Sequence, residues 1–352
     1  MTPVTAADAN PALTLTADTA GVPFVVTTSE VVAGTVGGGD VGNPAATVAS
    51  AGPNDWSTAA NWDGGVVPIN SDIVIIENTA DNITYGLGQS AMTLDELHIK
   101  QSFTGSLGLI EVNESGYEEY LETYLEIGAT LVFIGQGDGS GSGRIKLNTG
   151  SDQVALNVYN NGSPTDTDLK STMWKGTSAS NEVNITKGSF GAAILGSEVA
   201  TIATLKVGFA SESQINTDSD VLLGSGVTLT TVDMQGGTVE INSNVTTVNQ
   251  TNGNSSLLGT ITATTITLDG GNCYYRTSGT CTTLNVSGEG VFDCRRDMRS
   301  RTITNLTIYK GATIHDPFKT ITYTNGIDLI RSALADVTLD LGDHQTWTPS
   351  AI

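Results

Sequence analysis

One short phrase recurs through the second half of this chain. Each copy has a threonine or threonine–asparagine pair, an aliphatic residue, a polar residue and usually an apolar residue, with glycine soon after. The copies are Thr230–Met234, Thr246–Asn249, Thr264–Leu268, Thr282–Val286 and, more loosely, Thr304–Ile308. Their aliphatic anchors are 16, 18, 18 and 22 residues apart. Apolar and polar residues that alternate at this repeat length, with glycine at a corner, predict stacked coils of β-strands, a β-solenoid.

The composition agrees with that architecture. The chain has 352 residues, of which 38% are hydrophobic, 15% are charged and 41 are glycine. Threonine and valine suit a half-buried pleated surface, and glycine suits tight corners. We therefore predict an all-β fold, a parallel β-helix, whose right-handed sense we take from strand twist. From Trp56 to Ile330 it would make about a dozen coils, in a rod on the order of 60 Å long.

The chain divides into three parts. Residues 1–50 are predicted to form an N-terminal β attachment module and linker, with strands at Leu13–Thr16 and Phe24–Thr27 and a tether at Gly37–Pro44. A disordered or capping terminus is the alternative. Residues 51–330 would be the parallel β-helix, and residues 331–352 a C-terminal cap or docking tail with one more strand at Val337–Gly342.

Two tryptophans, Trp56 and Trp62, precede a Gly-Gly turn and a strand at the predicted start of the solenoid. The end coil of a solenoid exposes apolar surface and needs a cap. We therefore interpret both tryptophans as cap residues, and a sugar-stacking platform is the alternative.

Charge narrows the possible partners. The net charge is −22, from 15 Lys and Arg against 37 Asp and Glu. An acidic chain is not expected to bind nucleic acid, which needs a basic face, or an anionic membrane surface. Solubility explains the charge, and binding of divalent cations is the alternative. The glycine- and aspartate-rich stretch Gly135–Gly143 faintly resembles calcium-binding repeats; otherwise no metal or cofactor site is predicted.

The three cysteines, Cys273, Cys281 and Cys294, are an odd number and match no zinc pattern. We interpret them as small residues buried inside the coil.

A cluster of acidic and aromatic residues is the candidate carbohydrate site. Its members are Tyr117, Glu118, Glu119, Tyr120, Glu122 and Tyr124. Carboxylates beside aromatic rings suit sugar binding, whereas an exposed loop or a subunit contact would suit the same residues. A glycosidase needs two carboxylates that flank the scissile bond. We predict no catalytic residues, because the Arg144–Lys146 triplet lacks the other motifs of polygalacturonase-like enzymes.

Four arginines form a local basic cluster in this acidic chain: Arg295, Arg296, Arg299 and Arg301. They could form an interface with an acidic neighbour, such as another copy of the chain. The alternative is a solvated corner in which they pair locally with Asp293 and Asp297.

The chain resembles one class of proteins. The stretch Trp56–Ile76 resembles the opening shared by bacterial and phage parallel β-helix proteins, in which Asn-Trp is followed by Gly-Gly-Val and an apolar strand. The coils at Gly226–Val232 and Tyr309–Thr313 look like those of bacteriophage and prophage virion proteins. Leu15–Phe24 is similar to small β modules in phage structural proteins.

This resemblance implies a non-enzymatic virion protein, either a capsid decoration or cement protein or a projecting fibre that contacts the host surface. Its expected partners are other virion proteins and two further copies in a homotrimer. A tailspike that binds or depolymerises host surface polysaccharide is one alternative, and a secreted β-helix adhesin is another. Met1–Val4 opens no secretory signal, so we expect synthesis in the host cytoplasm and location in the virion.

Overall fold

The computed structural model describes residues 4–9, 12–17, 54–109, 123–165, 169–211, 214–215, 218–330 and 336–342. Near the N-terminus, β1 (Val4–Ala9) and β2 (Ala12–Ala17) form an antiparallel hairpin. The strand predicted at Leu13–Thr16 is therefore confirmed. The strand predicted at Phe24–Thr27 and the tether at Gly37–Pro44 lie outside the described residues.

The remaining elements follow from Asn54 onward. The only helical element in the described part of the chain is a 3-10 turn at Ala59–Asn61, and no helix there could span a membrane. The strands up to the middle of the chain are β3 (Ile73–Ile76), β4 (Gly88–Lys100), β5 (Ser106–Leu107), β6 (Leu125–Gln136), β7 (Arg144–Asn148), β8 (Ala155–Val158), β9 (Thr172–Lys175), β10 (Glu182–Ile185), β11 (Gly188–Ala192), β12 (Ala200–Val207), β13 (Phe209–Ser211), β14 (Gln214–Ile215) and β15 (Ser219–Leu223). Those that follow are β16 (Val227–Met234), β17 (Thr238–Ile241), β18 (Val245–Gln250), β19 (Asn254–Gly259), β20 (Ala263–Leu268), β21 (Asn272–Thr277), β22 (Cys281–Val286), β23 (Val291–Asp293), β24 (Arg301–Ile308), β25 (Thr313–His315), β26 (Ile321–Tyr323), β27 (Ile327–Leu329) and β28 (Thr338–Asp340).

From β3 onward the strands pair in parallel and stack in columns, apart from the antiparallel pair β13–β14. We call the column that contains the repeated aliphatic anchors the anchor face. Its rungs are strands, or halves of strands, from β3, β4, β6, β8, β10, β12, β16, β18, β20, β22, β24 and β27. These twelve rungs confirm the predicted dozen coils and, at ~4.8 Å per step, give a stack about 50 Å long.

Two further columns complete the coil. The short-strand face contains β5, β7, β9, β11, β15, β17, β19, β21, β23, β25 and β28. β28 lies within the strand predicted at Val337–Gly342, which is thereby confirmed. A third face is formed by the first halves of the long strands and by β26. The fold is thus an all-β parallel β-helix, as predicted, and its right-handed sense stays a prediction.

The threonine pair of the repeat is a corner. In β16, Leu229 and Val232 are buried, whereas Thr230 and Thr231 between them both lie toward solvent. Because successive residues of a straight strand point to opposite sides, two consecutive outward residues require a bend. The pair therefore marks the turn from the third face to the anchor face.

Glycine forms another corner, as the repeat predicts. Gly253 has a φ of 82°, and a Cβ there would lie 2.7 Å from the carbonyl oxygen of Gly237 in the preceding coil. Only glycine combines this backbone conformation with so close an approach of two coils.

The anchors fill the interior. Val232, Val248, Ile266, Leu284 and Leu306 are each at most 2% exposed. Burial of an aliphatic side chain of this size contributes roughly 1.5–3 kcal/mol before the entropy cost. The repeat therefore supplies one such contribution per rung on the anchor face alone.

Candidate functional site

The segment that carries most of the predicted carbohydrate site lies outside the described residues, namely Tyr117, Glu118, Glu119, Tyr120 and Glu122. The residues on either side of it are in contact, because the Leu109 backbone N–H donates to the Thr123 carbonyl oxygen at 3.0 Å. Leu109 and Thr123, the described residues on either side of this segment, thus meet at one point of the coil.

Tyr124 is the one member of the predicted carbohydrate site that the structure describes. It is 3% exposed, and the ammonium nitrogens of Lys175 and Lys146 lie 4.1 Å and 5.8 Å from its ring centroid. These are cation–π distances, worth about 0.5–2 kcal/mol each. Since a neighbouring side chain already packs against the ring, Tyr124 presents little surface to a sugar. Carbohydrate binding by the cluster stays a prediction.

A shallow groove lies beside this point, with a volume of about 240 Å³. Two carboxylates line it. The Glu126 Oε1 accepts from the Asn148 Nδ2 at 3.3 Å, and the Asp152 Oδ2 accepts from the Thr93 Oγ1 at 2.6 Å. Glu126 is the last residue of the acidic segment in the sequence. Asp152 lies on the next coil, so the sequence alone does not show that it lines the same groove as Glu126.

Gly128 makes room for this arrangement. A Cβ at this position would lie 1.8 Å from the Asp152 Oδ2, closer than any real contact. The Asp152 carboxylate is therefore held in place on one side of the groove, because it packs over Gly128 and accepts from Thr93. Among the described residues, however, no group of three or more His, Cys, Asp or Glu side chains could hold a metal ion. Calcium binding stays a prediction.

The arginine cluster lies in the connection from β23 to β24, which we call the arginine loop (residues 293–301). The Arg295 guanidinium pairs with Asp293, with 2.8 Å between Nη2 and Oδ2. The Arg299 guanidinium pairs with Asp297 and also donates to the carbonyl oxygens of Gly259 and Arg276, at 2.8 Å each. Local pairing, the alternative interpretation of the sequence, is therefore present.

Arg301 is the buried member of the cluster, only 2% exposed. Its guanidinium donates to the carbonyl oxygens of Tyr275, Asp297 and Arg299, the last two at 2.6 Å. A buried charge is stable only when its donors are satisfied, and here backbone oxygens of the loop and of a preceding coil satisfy them. Arg301 thus fixes the shape of the loop.

Arg296 differs from the other three in its contacts. It is exposed, as Arg295 and Arg299 are, but its guanidinium carbon lies 3.8 Å from the centroid of the Tyr274 ring. Met298 beside it is 71% exposed. Whether the loop is an interface stays a prediction. Among the described residues, Arg295, Arg299 and Arg301 pair with aspartates or backbone carbonyl oxygens, whereas Arg296 forms no ion pair.

The two predicted cap residues meet before the first rung of the anchor face. Trp56 is 1% exposed and belongs to the buried core, and Trp62 packs edge-on against it with 4.7 Å between ring centroids. The Trp62 Nε1 donates to the Trp56 carbonyl oxygen at 2.8 Å. This position suits the predicted cap, and the buried Trp56 ring leaves no face on which a sugar could stack.

The three cysteines are free and buried inside the coil, which confirms their interpretation as core residues. Burial raises the pKa of the Cys273 thiol and of the Cys281 thiol to about 12. Burial also raises the pKa of Cys294. Thiols held in the protonated form are poor nucleophiles and poor metal ligands.

Sequence reasoning missed an aromatic ladder on the outer side of the anchor face. His98 stacks on Phe133 with 4.8 Å between ring centroids, and Phe133 stacks on Tyr159 at 6.5 Å. Next to this ladder, Ile73 and Ile75 of β3 are 59% and 50% exposed. The sequence did contain a signal for this surface. Ile75, His98 and Phe133 each directly follow a buried residue of the anchor face and pair with one another in register, so apolar or aromatic residues recur at one outward position.

No protein family, curated protein or solved structure matches this chain.

Proposed function

We propose that this chain is a non-enzymatic structural protein of a bacteriophage virion and that its solenoid serves as a rigid rod. One observation supports the mechanical role most directly: the coils are joined by side chains as well as by backbone. Amide groups hydrogen-bond along the rod axis from Asn184 to Asn157 at 3.0 Å, from Asn272 to Asn254 at 3.0 Å and from Asn325 to Asn305 at 2.7 Å. Each of these bonds adds a side-chain link to the backbone pairing that joins neighbouring coils.

The virion assignment is supported by the resemblance of Trp56–Ile76 and of the coils at Gly226–Val232 and Tyr309–Thr313 to phage proteins. In this role the chain decorates or cements the capsid, or projects as a fibre that contacts the host surface. Its partners are other virion proteins and further copies of itself in a homotrimer.

Cryo-electron microscopy of particles purified from cells that carry the gene tests this proposal. Density for the rod at capsid lattice points identifies a decoration or cement protein, whereas density at the tail identifies a fibre. If mass spectrometry of the same particles does not detect the chain, the virion assignment is wrong.

A second candidate, favoured by the groove with Glu126 and Asp152, is a tailspike that binds or cleaves surface polysaccharide. Incubation of the full chain with host polysaccharide, followed by a reducing-end assay, tests cleavage. Cleavage that is lost in Glu126→Gln and Asp152→Asn but retained in Asp328→Asn would establish this function. An unchanged reducing-end signal would leave the structural role.

A further inference from the structure

The arginine loop is the place where the sequence repeat is stretched. Successive anchors lie 18 residues apart from Val248 through Leu284, but 22 residues separate Leu284 from Leu306. The longer coil contains the arginine loop, which connects the short-strand face to the third face. The loop is therefore longer than its counterparts at Gly259–Ala263 and Thr277–Cys281 in the two coils before it.

This loop is held rigidly although it is exposed. Asp293 accepts from the backbone N–H and guanidinium of Arg295, and Asp297 accepts from the same groups of Arg299. Arg299 then reaches the carbonyl oxygens of two preceding coils, and the buried Arg301 closes the loop from inside. A loop ordered in this way has little conformational entropy left to lose when it binds a partner.

The rigid loop displays a small set of side chains. Arg296 stacks on Tyr274, and Met298 is 71% exposed. Among the described residues, no carboxylate pairs with Arg296. Arginine, tyrosine and methionine are enriched at the centres of protein interfaces, where arginine and tyrosine often dominate the binding energy.

Charge favours an acidic partner. The loop has four arginines and two aspartates, in a chain whose net charge is −22. An acidic partner complements the loop, and a second copy of this chain, with its net charge of −22, is such a partner. From the loop's rigidity, its displayed residues and this charge contrast, we infer that the arginine loop docks on a second copy of the chain through Arg296, Tyr274 and Met298.

Such a contact joins two different surfaces, the arginine loop of one copy and an acidic surface of the next. A contact of this kind closes into a ring when the rotation between copies permits it, and three copies make the smallest cyclic ring beyond a dimer. The inference concerns self-association only and holds whether or not the proposed virion role is correct.

Sedimentation velocity of the purified full chain, from about 50 mM to about 500 mM salt, tests the inference. We expect the wild type to associate and to dissociate as salt is raised. Arg296→Glu should weaken association by about tenfold or more, and Met298→Ala should weaken it less. The matched control is Lys310→Glu, which makes the same charge change at an exposed lysine on the next coil, outside the loop.

Circular dichroism melts establish that each variant is folded. A wild type that is monomeric throughout the salt range would overturn the inference. Equal weakening by Arg296→Glu and Lys310→Glu would also overturn it, because the effect would then follow from net charge alone. Particle imaging, which tests the virion role, is independent of either result.

Discussion

At the scale of single residues, charge and burial determine which side chains are chemically available. The three thiols are the clearest case, because their burial keeps them protonated at neutral pH. We expect none of them to react with a thiol reagent such as DTNB at pH 8 in the folded protein. All three should react after unfolding in guanidinium. Rapid labelling of even one cysteine in the native state would show that the coil opens there.

Asp297 provides a pH-dependent test at the same scale. Hydrogen bonds from Arg299 lower the pKa of Asp297 to about 2, from an unfolded value of about 3.9. A carboxylate with a lowered pKa stabilises the fold above the unfolded value, and this stabilisation is lost as the pH falls from about 4 to about 2. Asp297→Asn should therefore reduce stability by up to about 1 kcal/mol at pH 6, the range for a solvent-screened ion pair, and by much less at pH 2.

Urea unfolding of Asp297→Asn and of the wild type at several pH values measures this difference. The control is Asp328→Asn, an exposed aspartate that forms no ion pair among the described residues. If the stability difference between wild type and Asp297→Asn stays constant from pH 6 to pH 2, the Asp297–Arg299 pair does not contribute as described.

At the scale of strands, inward and outward side chains alternate, so substitutions at neighbouring residues should have very different effects on stability. In β20, Ile266 is fully buried in the anchor column, whereas the adjacent Thr267 lies on the outer side. Ile266→Ala should cost about 2–5 kcal/mol, because it leaves a cavity between two coils. Thr267→Ala should change stability by about 0.5 kcal/mol or less. Denaturant unfolding measures the free energy of unfolding of both variants. Equal losses of stability would mean that the anchor residues do not form the core.

The strands were also the part most accessible to prediction. Alternation and glycine spacing were sufficient for the coil count, for the anchors and for β28, because these depend on local sequence. That the threonine pair forms a corner was not predicted. Two consecutive outward residues reveal a bend only when the residues on both sides of them are known to be buried, and the structure supplies that burial.

The candidate sites were less accessible, because they join residues from different coils. Asp152 meets Thr93 across 59 positions, and Arg299 reaches Gly259 across 40. Insertions vary the coil length in the first half of the chain, so the register that brings such residues together cannot be counted from the repeat alone. The arginines were visible as a cluster, but only the contacts distinguish Arg296 from the other three.

At the scale of the whole molecule, the rod is a sum of similar units. The backbone of each coil pairs only with the adjacent coils, so stability is approximately the sum of coil and interface contributions. A few side chains, such as Arg299 on Gly259, reach one coil further and add to that sum. A complete coil should therefore be removable if the columns stay in register. The coil from Leu229 to Asn244 is suitable, because Leu229 pairs with Val245 in the next coil and their separation is 16 residues.

Deletion of residues 229–244 would place Val245 where Leu229 stood and leave the arginine loop intact. We expect a folded protein, shorter by about 4.8 Å, with only a modest loss of stability.

Deletion of residues 237–244 alone, half of the same coil, is the control. It removes a corner and strand β17 and shifts every later anchor out of its column, so we expect it to misfold although it removes fewer residues. Small-angle scattering measures the length, and circular dichroism measures the fold. Equal tolerance of both deletions would contradict a rod built from registered coils, because only the complete deletion returns each anchor to the core.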